Sequence, residues 1–381
     1  MKTLKTDLKK YSMLIALIII FIIFAVLTNG INLTPNNISN MIMQYAYVLV
    51  LAVGMLLVII TGNIDLSVGS VVGFTGAVAG VLMVRNDVPV PVAIVLILIV
   101  GLIIGATQGF FIAYIGVPAF ITTLAGMMIF RGLTMVVLNG ESLGPFPDSF
   151  KFFANGFIFQ NSTILGLNTF TFILMVIVVI GIILGTIYKY KKTKIEFRPN
   201  INSVILQTVI LTACIEFILY NLGAFKGISV PFIILTVLIT VYSYFMNNIT
   251  YGRQIYAIGG NYAAAQMSGI KNKKVIFWVY ANMGVLAALS GILVAGRLNS
   301  ATPNAGNMFE LDAIAACFIG GASATGGTGT IIGAVIGALI MASLNNGMSI
   351  LGVSVDWQQA VKGLVLLIAV VLDVMSRRKK S

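Results

Sequence analysis

Residues 61–70 read TGNIDLSVGS, a single carboxylate, Asp65, set among Gly62, Asn63, Ser67 and Gly69. Before it lies the apolar run 41–60 and after it the apolar run 71–84. The first of these has the roughly 20 residues that a bilayer-spanning helix needs. A charge and a cluster of helix breakers therefore sit where the chain turns between two membrane segments, and what they do there depends on the rest of the chain.

Working outward, the 381 residues are 59% hydrophobic and only 9% charged, with a mean hydropathy of +1.04. Soluble domains carry about a quarter of charged residues. Apolar runs recur from Tyr11 almost to the last residue, which leaves no room for a soluble domain. The expectation is one all-α polytopic membrane domain over 1–381, with about twelve transmembrane helices, some of them broken or re-entrant. The spans fall at 11–28, 41–60, 67–84, 90–112, 119–138, 169–188, 201–222, 229–246, 275–296, 311–324, 330–350 and 357–376.

The chain has no histidine, which removes the usual general base and the commonest metal ligand. No Ser or Cys has a plausible base beside it, so the chain reads as a non-enzyme with no metal site. Cys214 and Cys317 each lie alone in an apolar stretch and read as small buried hydrophobes.

The net charge of +12 is a matter of position. The basic residues form four blocks: Lys2, Lys5, Lys9 and Lys10; Lys189, Lys191, Lys192, Lys194 and Arg198; Arg253, Lys271, Lys273 and Lys274; and Arg377, Arg378, Lys379 and Lys380. Every block abuts a hydrophobic run, the pattern of cytoplasmic loops, so no nucleic-acid role is expected. With an even number of spans both termini are cytoplasmic; Arg85, Lys151, Lys226 and Arg297 fall outside, and Arg131 and Lys362 lie within spans. The apolar stretch at the N-terminus is longer than a signal-peptide core and lacks a small-x-small cleavage site, so it reads as a retained first span.

Three loops stand out. In GGASATGGTGTIIGAVIGA (320–338) small residues recur closely enough for helices to approach backbone to backbone; no GK[ST] occurs anywhere, so this chain is expected neither to hydrolyse ATP nor to hold a cofactor of its own. The outward loop 139–168 carries GPFPD (144–148) and the aromatics Phe150, Phe152, Phe153 and Phe157, expected at the surface as interfacial anchors or as a docking face. In the inward loop 247–274, Asn261 can cap a helix, 263–267 are mostly good formers and Gly269 is placed to end it. So short a helix is marginal alone and needs a partner.

These stretches together resemble the permease subunits of bacterial ABC importers for monosaccharides, the group with the ribose, galactose and xylose permeases. The resemblance rests on TGNIDLSVGS (61–70), GVPAFITTLAGMMIFRGLT (116–134), YGRQIYAIGGNYAAAQMSGI (251–270), ATPNAGNMFELDAIAACFIGGASATGGTGTIIGA (301–334) and LNNGMSILGVSVDWQQAVKGLVLLIAV (344–370). It covers about 41–375, with what looks like an extra pair of spans at about 193–245 that is similar to the xylose and multiple-monosaccharide branch. The resemblance implies a multi-pass subunit of the bacterial cell membrane, pairing with a second permease copy around a central path. It also implies an extracytoplasmic sugar-binding protein above and a cytoplasmic ABC ATPase below, often with two fused nucleotide-binding domains, which holds the ATP and Mg²⁺. Gly260, Asn261, Ala264 and Gly269, with Gly252, Arg253, Gly259, Ala265 and Ser268 around them, would form the loop that couples to that ATPase.

Asp65 then has two readings: a cap for the helix that begins at about Ser67, or, with Asn63, Ser67 and Gly69, part of the path or its gate. FELDAI (309–314) again sets acids, Glu310 and Asp312, beside a leucine at the start of a span, on the opposite side of the bilayer, which hints at an inverted repeat. The rival from another class is an ion-coupled secondary transporter acting without an ATPase, with Asp65, Glu216 or Glu310 carrying the ion.

Overall fold

A computed structural model describes residues 12–158, 163–193, 198 and 200–378. Lys2 to Lys10, Lys194, Lys379 and Lys380 lie outside the described residues. The helices are α1 (Ser12–Leu27), α2 (Pro35–Gln44), α3 (Ala46–Ile60), α4 (Val68–Gly80), α5 (Val90–Phe110), α6 (Ala119–Leu138), α7 (Asp148–Asn155) and α8 (Thr169–Lys192). They continue as α9 (Ile201–Phe225), α10 (Val230–Asn248), α11 (Thr250–Gly260), α12 (Tyr262–Met267), α13 (Asn272–Leu298), α14 (Phe309–Ile319), α15 (Ile331–Ile350) and α16 (Val355–Arg378). A two-stranded hairpin, β1 (Thr163–Ile164) with β2 (Leu167–Asn168), is the only sheet among the described residues.

The all-α membrane architecture stands, and the count of about twelve is not confirmed. Among the described residues eight helices are long and apolar enough to cross a bilayer, or nine if α2 and α3, bent by 46° at Tyr45, form one span. The expected spans at 11–28 and 311–324 are helices of 16 and 11 residues. The third, α16, is long but only weakly apolar and carries Asp356 and Lys362.

Two helices form the axis of the core. In α3 every residue but Tyr47 is buried, and α13 is buried along most of its length. Around them pack α4, α5, α14 and α15. Contact is made through small residues, as lipid-soluble helices require where no hydrophobic drive separates side chain from tail. A Cβ added to Gly284 on α13 would lie 2.1 Å from the Gly101 carbonyl oxygen of α5. The glycine-rich stretch 320–338 works as expected, with Gly337 of α15 against the Ala316 carbonyl of α14.

The outward loop differs from expectation. It folds into α7, and Phe150 and Phe146 are buried, tilted against each other with ring centroids 4.7 Å apart under α13; Phe152 alone of the four expected surface aromatics is strongly exposed. The amphipathic period of the short helix decides which rings turn inward. Beside it Lys151 lies 2.6 Å from Asp148 and, by hydrogen bond and charge, holds that carboxyl below its usual range.

The short α14 has a structural cause. Eleven residues rise about 16 Å, half of a roughly 30 Å hydrocarbon layer. The missing half is supplied by 299–308, which does not stop at the surface after α13 but folds back along α4. Ala301 lies beside Gly80, the Ala305 carbonyl beside Gly73, and Gly306 against Gly69.

Candidate functional site

That fold-back brings the two acidic turns together. The sequence set Asp65 and Glu310 on opposite sides of the bilayer; the structure starts α4 and α14 next to each other and sends them in opposite directions. A Cβ on Gly69 would lie 2.2 Å from Glu310 Oε2 and 2.3 Å from the Gly306 carbonyl, so only a glycine lets the turns meet. Two helix N-termini, each favouring negative charge, thus face one small volume with Asp65, Glu310 and Asp312, all 2–5% exposed.

Asp65 builds the first turn. Its Oδ1 accepts the Ser67 backbone N–H at 2.8 Å and the Ser67 hydroxyl at 2.7 Å, an Asx-turn that places Ser67 at the N-cap position of α4. Ser67 Oγ in turn accepts from Gln108 Nε2 at 2.8 Å. Asn63 stays local, its amide 3.1 Å from Thr61 Oγ1. Ser67 packs beside Gly126, seven residues into α6, which sets it about 10 Å from that helix end. The hairpin therefore reaches into the layer, where irregular backbone survives only inside protein or along a cavity.

The second turn is held by cations. Lys362 Nζ of α16 lies 2.9 Å from Asp312 Oδ1, and the Tyr47 hydroxyl reaches Asp312 at 3.5 Å while its ring stacks on Phe309 at 3.8 Å. Arg131 Nη1 of α6 donates to Asn307 Oδ1 at 2.6 Å, at an exposed part of the surface. Glu310 Oε2 is buried with no hydrogen-bond partner. Arg131 and Lys362 were visible in the sequence as lone cations inside spans; Asn307, Gln108 and Tyr47 gave no signal, because only the fold-back of 299–308 makes them neighbours.

The loop 247–274 forms α11 and α12. Asn261 Oδ1 accepts the Ala264 N–H at 3.0 Å, capping α12, and Gly269 at φ +85° follows it. Ala265 is buried, Ser268 Oγ donates to the Ala264 carbonyl at 2.9 Å, and Asn272 Nδ2 donates to the Tyr262 carbonyl at 2.8 Å. Gly252 packs on the Phe245 carbonyl, and Arg253 donates to Thr250 Oγ1 at 3.1 Å. Outward, Tyr262 is half exposed and Met267 90% exposed, an apolar side chain with nothing over it.

Inward, this loop rests on two helical hairpins, α3–α4 at its turn after Ile60 and α14–α15 at its glycine loop. A Cβ on Gly259 would lie 1.6 Å from the Ile60 carbonyl oxygen and 2.6 Å from Gly327 N. The Gly327 N–H donates to that same Ile60 oxygen at 2.9 Å, and the Tyr256 hydroxyl donates to the Gly329 carbonyl at 2.7 Å. Backbone of α11, of the turn after α3 and of the glycine loop before α15 is thus in direct contact.

Charge separates the two ends of the molecule. Among the side chains described, the end with α11 and α12 carries Lys191, Lys192, Arg198, Arg253, Lys271, Lys273 and Lys274 and no acid. The opposite end carries Arg85, Lys151, Lys226 and Arg297 balanced by Asp87, Glu141, Asp148 and Asp356.

Known permeases are similar to this chain over nearly all of its length. It is 40% identical over 380 residues to the xylose transport system permease protein XylH of Haemophilus influenzae, covering 99% of each chain. It is 36% identical over 378 residues to XylH of Escherichia coli, covering 98% of this chain and 93% of that one. To the ribose import permease protein RbsC of Escherichia coli it is 36% identical over 369 residues, covering 97% and 95%. No solved structure matches the chain. Residues 37–370 match the model of the branched-chain amino acid transport system permease component, and this multi-pass membrane chain belongs to that permease family.

Proposed function

We propose that this chain is the transmembrane permease subunit of an ATP-driven importer that carries a monosaccharide, a pentose such as xylose, delivered by an extracytoplasmic binding protein. The names of its relatives, xylose and ribose permeases, support the sugar. The observation that carries the mechanism is the contact of Gly259 with the Ile60 and Gly327 backbone. The capped α12, with its uncovered Met267, follows directly on α11, whose Gly259 is seated, without intervening side chains, on both broken hairpins.

In this reading the α11–α12 end is cytoplasmic, as its unbalanced positive charge favours, and both termini lie on that side. An ABC ATPase, with two nucleotide-binding domains that are fused in many such systems, grips α12 and holds the ATP and Mg²⁺; this chain binds neither. When the ATPase closes, it displaces α11, and the displacement reaches the turns bearing Asp65 and the glycine loop before α15 through backbone contacts. The starts of α4 and α14 then shift against each other and change which side is open. A second copy of the chain completes the path. Arg131 and Asn307 face it, because a cation at membrane depth costs about 3 kcal/mol against lipid and turns to protein or water instead. The chain is one permease domain; within the proposed insertion at 193–245, α9 lies at the rim and α10 packs on α3 and α15.

The test uses Met267→Glu, which alters only an exposed side chain. Purified with the ATPase and reconstituted with the binding protein, this variant should insert normally, retain less than a tenth of the ATPase and lose sugar-stimulated ATP hydrolysis. Full retention of both would refute the coupling. Sugar uptake that persists without any ATPase would overturn the importer reading and assign Asp65, Glu216 or Glu310 to ion coupling.

A further inference from the structure

A groove of about 570 Å³ opens between α10 and α13, closed at one end by α11. Its lining changes character along its length. At the α11 end stands Lys274, exposed; one helical turn along α13 comes Trp278, 47% exposed, with Phe245 and Tyr251 across from it. Aromatic side chains with an apolar body and a polar tip collect at the level where hydrocarbon meets headgroups. Trp278 and Tyr251 therefore set that level, and Lys274 lies on its headgroup side.

One group in this lining lacks a counterpart. Among the described residues Lys274 has no ion-pair partner; no Asp or Glu occurs in the sequence between Glu216 and Glu310, while Arg253, Lys271 and Lys273 occupy the same end.

We infer that the groove holds one anionic phospholipid, with its phosphate at Lys274 and its acyl chains along the apolar wall between α10 and α13. A free sugar has no use for an apolar wall. A zwitterionic lipid fills the wall but brings its own cation to Lys274. A soluble anion answers Lys274 and leaves the wall bare. Basic pockets between transmembrane helices are suited to such headgroups. Because α11 closes the groove and also bears Gly259, an occupied groove braces the helix that contacts both hairpins. The inference needs only that α10 and α13 stand in a bilayer, not the identity of the cargo or of the ATPase.

The full-length chain, stripped of lipid by detergent exchange, is given phosphatidylglycerol, phosphatidylcholine or inorganic phosphate and read by native mass spectrometry and thermal unfolding. Phosphatidylglycerol should give a one-to-one adduct at concentrations at least tenfold below phosphatidylcholine and raise the unfolding temperature, with inorganic phosphate giving neither effect. Lys274→Gln should abolish the preference while leaving the unfolding temperature of the stripped protein unchanged, and Lys274→Arg should keep it. Equal binding of the two lipids, a preference that survives Lys274→Gln, or the same stabilisation by inorganic phosphate would each overturn the inference.

Discussion

The helices α13 and α8 are equally plausible membrane spans by sequence and meet opposite fates. Over the most apolar stretch of each, 72% of α13 is buried against 6% of α8, and its neighbour α9 matches α8 at 6%. Hydropathy runs the other way, α8 being the more apolar of the two. The more apolar helix stays on the outside of the chain, and the less apolar one, dotted with Gly, Ala, Ser and Asn, forms the axis. In a bilayer apolarity earns no burial, because lipid tails solvate a leucine as well as protein does; small residues that admit a neighbouring backbone do.

The sharpest way to break that comparison is to put one side chain into each helix. Gly284→Leu on α13 forces a branched side chain onto the Gly101 carbonyl and Gly105 of α5, where backbone cannot yield. The cost exceeds the about 1–3 kcal/mol of ordinary overpacking, and folded yield after mild detergent extraction should fall below detection. A Cβ added at Gly181 on α8 meets no atom within 4 Å, and the yield and melting temperature of Gly181→Leu should match the parent. Equal yields for the two variants would mean that α5 and α13 do not pack as described.

A smaller effect is expected where the core holds charge. Asp312 and Lys362 form an ion pair with side chains 5% and 19% exposed, and removing one partner of a buried pair costs about 3 kcal/mol or more. Asp312→Asn and Lys362→Met should each lower the melting temperature by several degrees. The double variant, which leaves no unpaired charge, should recover much of the loss. Strictly additive losses would show that the two side chains do not act as a pair.

How far the sequence could be read follows the same physics. Membrane class, the positive end and the Asn261-capped helix depend on local composition and short-range hydrogen bonds, and both features are there in TGNIDLSVGS and 247–274. The shortness of α14 was not legible, because 299–308 contains turn residues and no apolar run, and only its packing along α4 shows that it stands in for half a crossing. For the same reason the meeting of Gly69 with Glu310 was hidden. Two acidic turns over 240 residues apart are joined by a contact that needs a missing Cβ, and a glycine announces flexibility in sequence, never which neighbour it admits. Phe150 was misplaced because an aromatic in a loop looks alike whether it anchors to lipid or turns under a short helix.

The smallest effect sought separates the two readings of Asp65. Its Oδ1 accepts two hydrogen bonds from Ser67, and the amide oxygen of an asparagine can accept both. Loss of the side-chain oxygen should cost about 1 kcal/mol, the usual worth of such a helix-start acceptor. Asp65→Ala should therefore melt a few degrees lower and accumulate less, whereas Asp65→Asn should fold as the parent does and keep most of its uptake. The Ser67 hydroxyl, which links this turn to Gln108 of α5, offers a parallel check: Ser67→Ala should resemble Asp65→Ala in stability. Transport measured beside folded yield decides the matter. An Asp65→Asn protein that folds fully, binds its ATPase and moves no sugar would show that the charge itself is used, and would transfer Asp65 from the scaffold of the turn to the transport path.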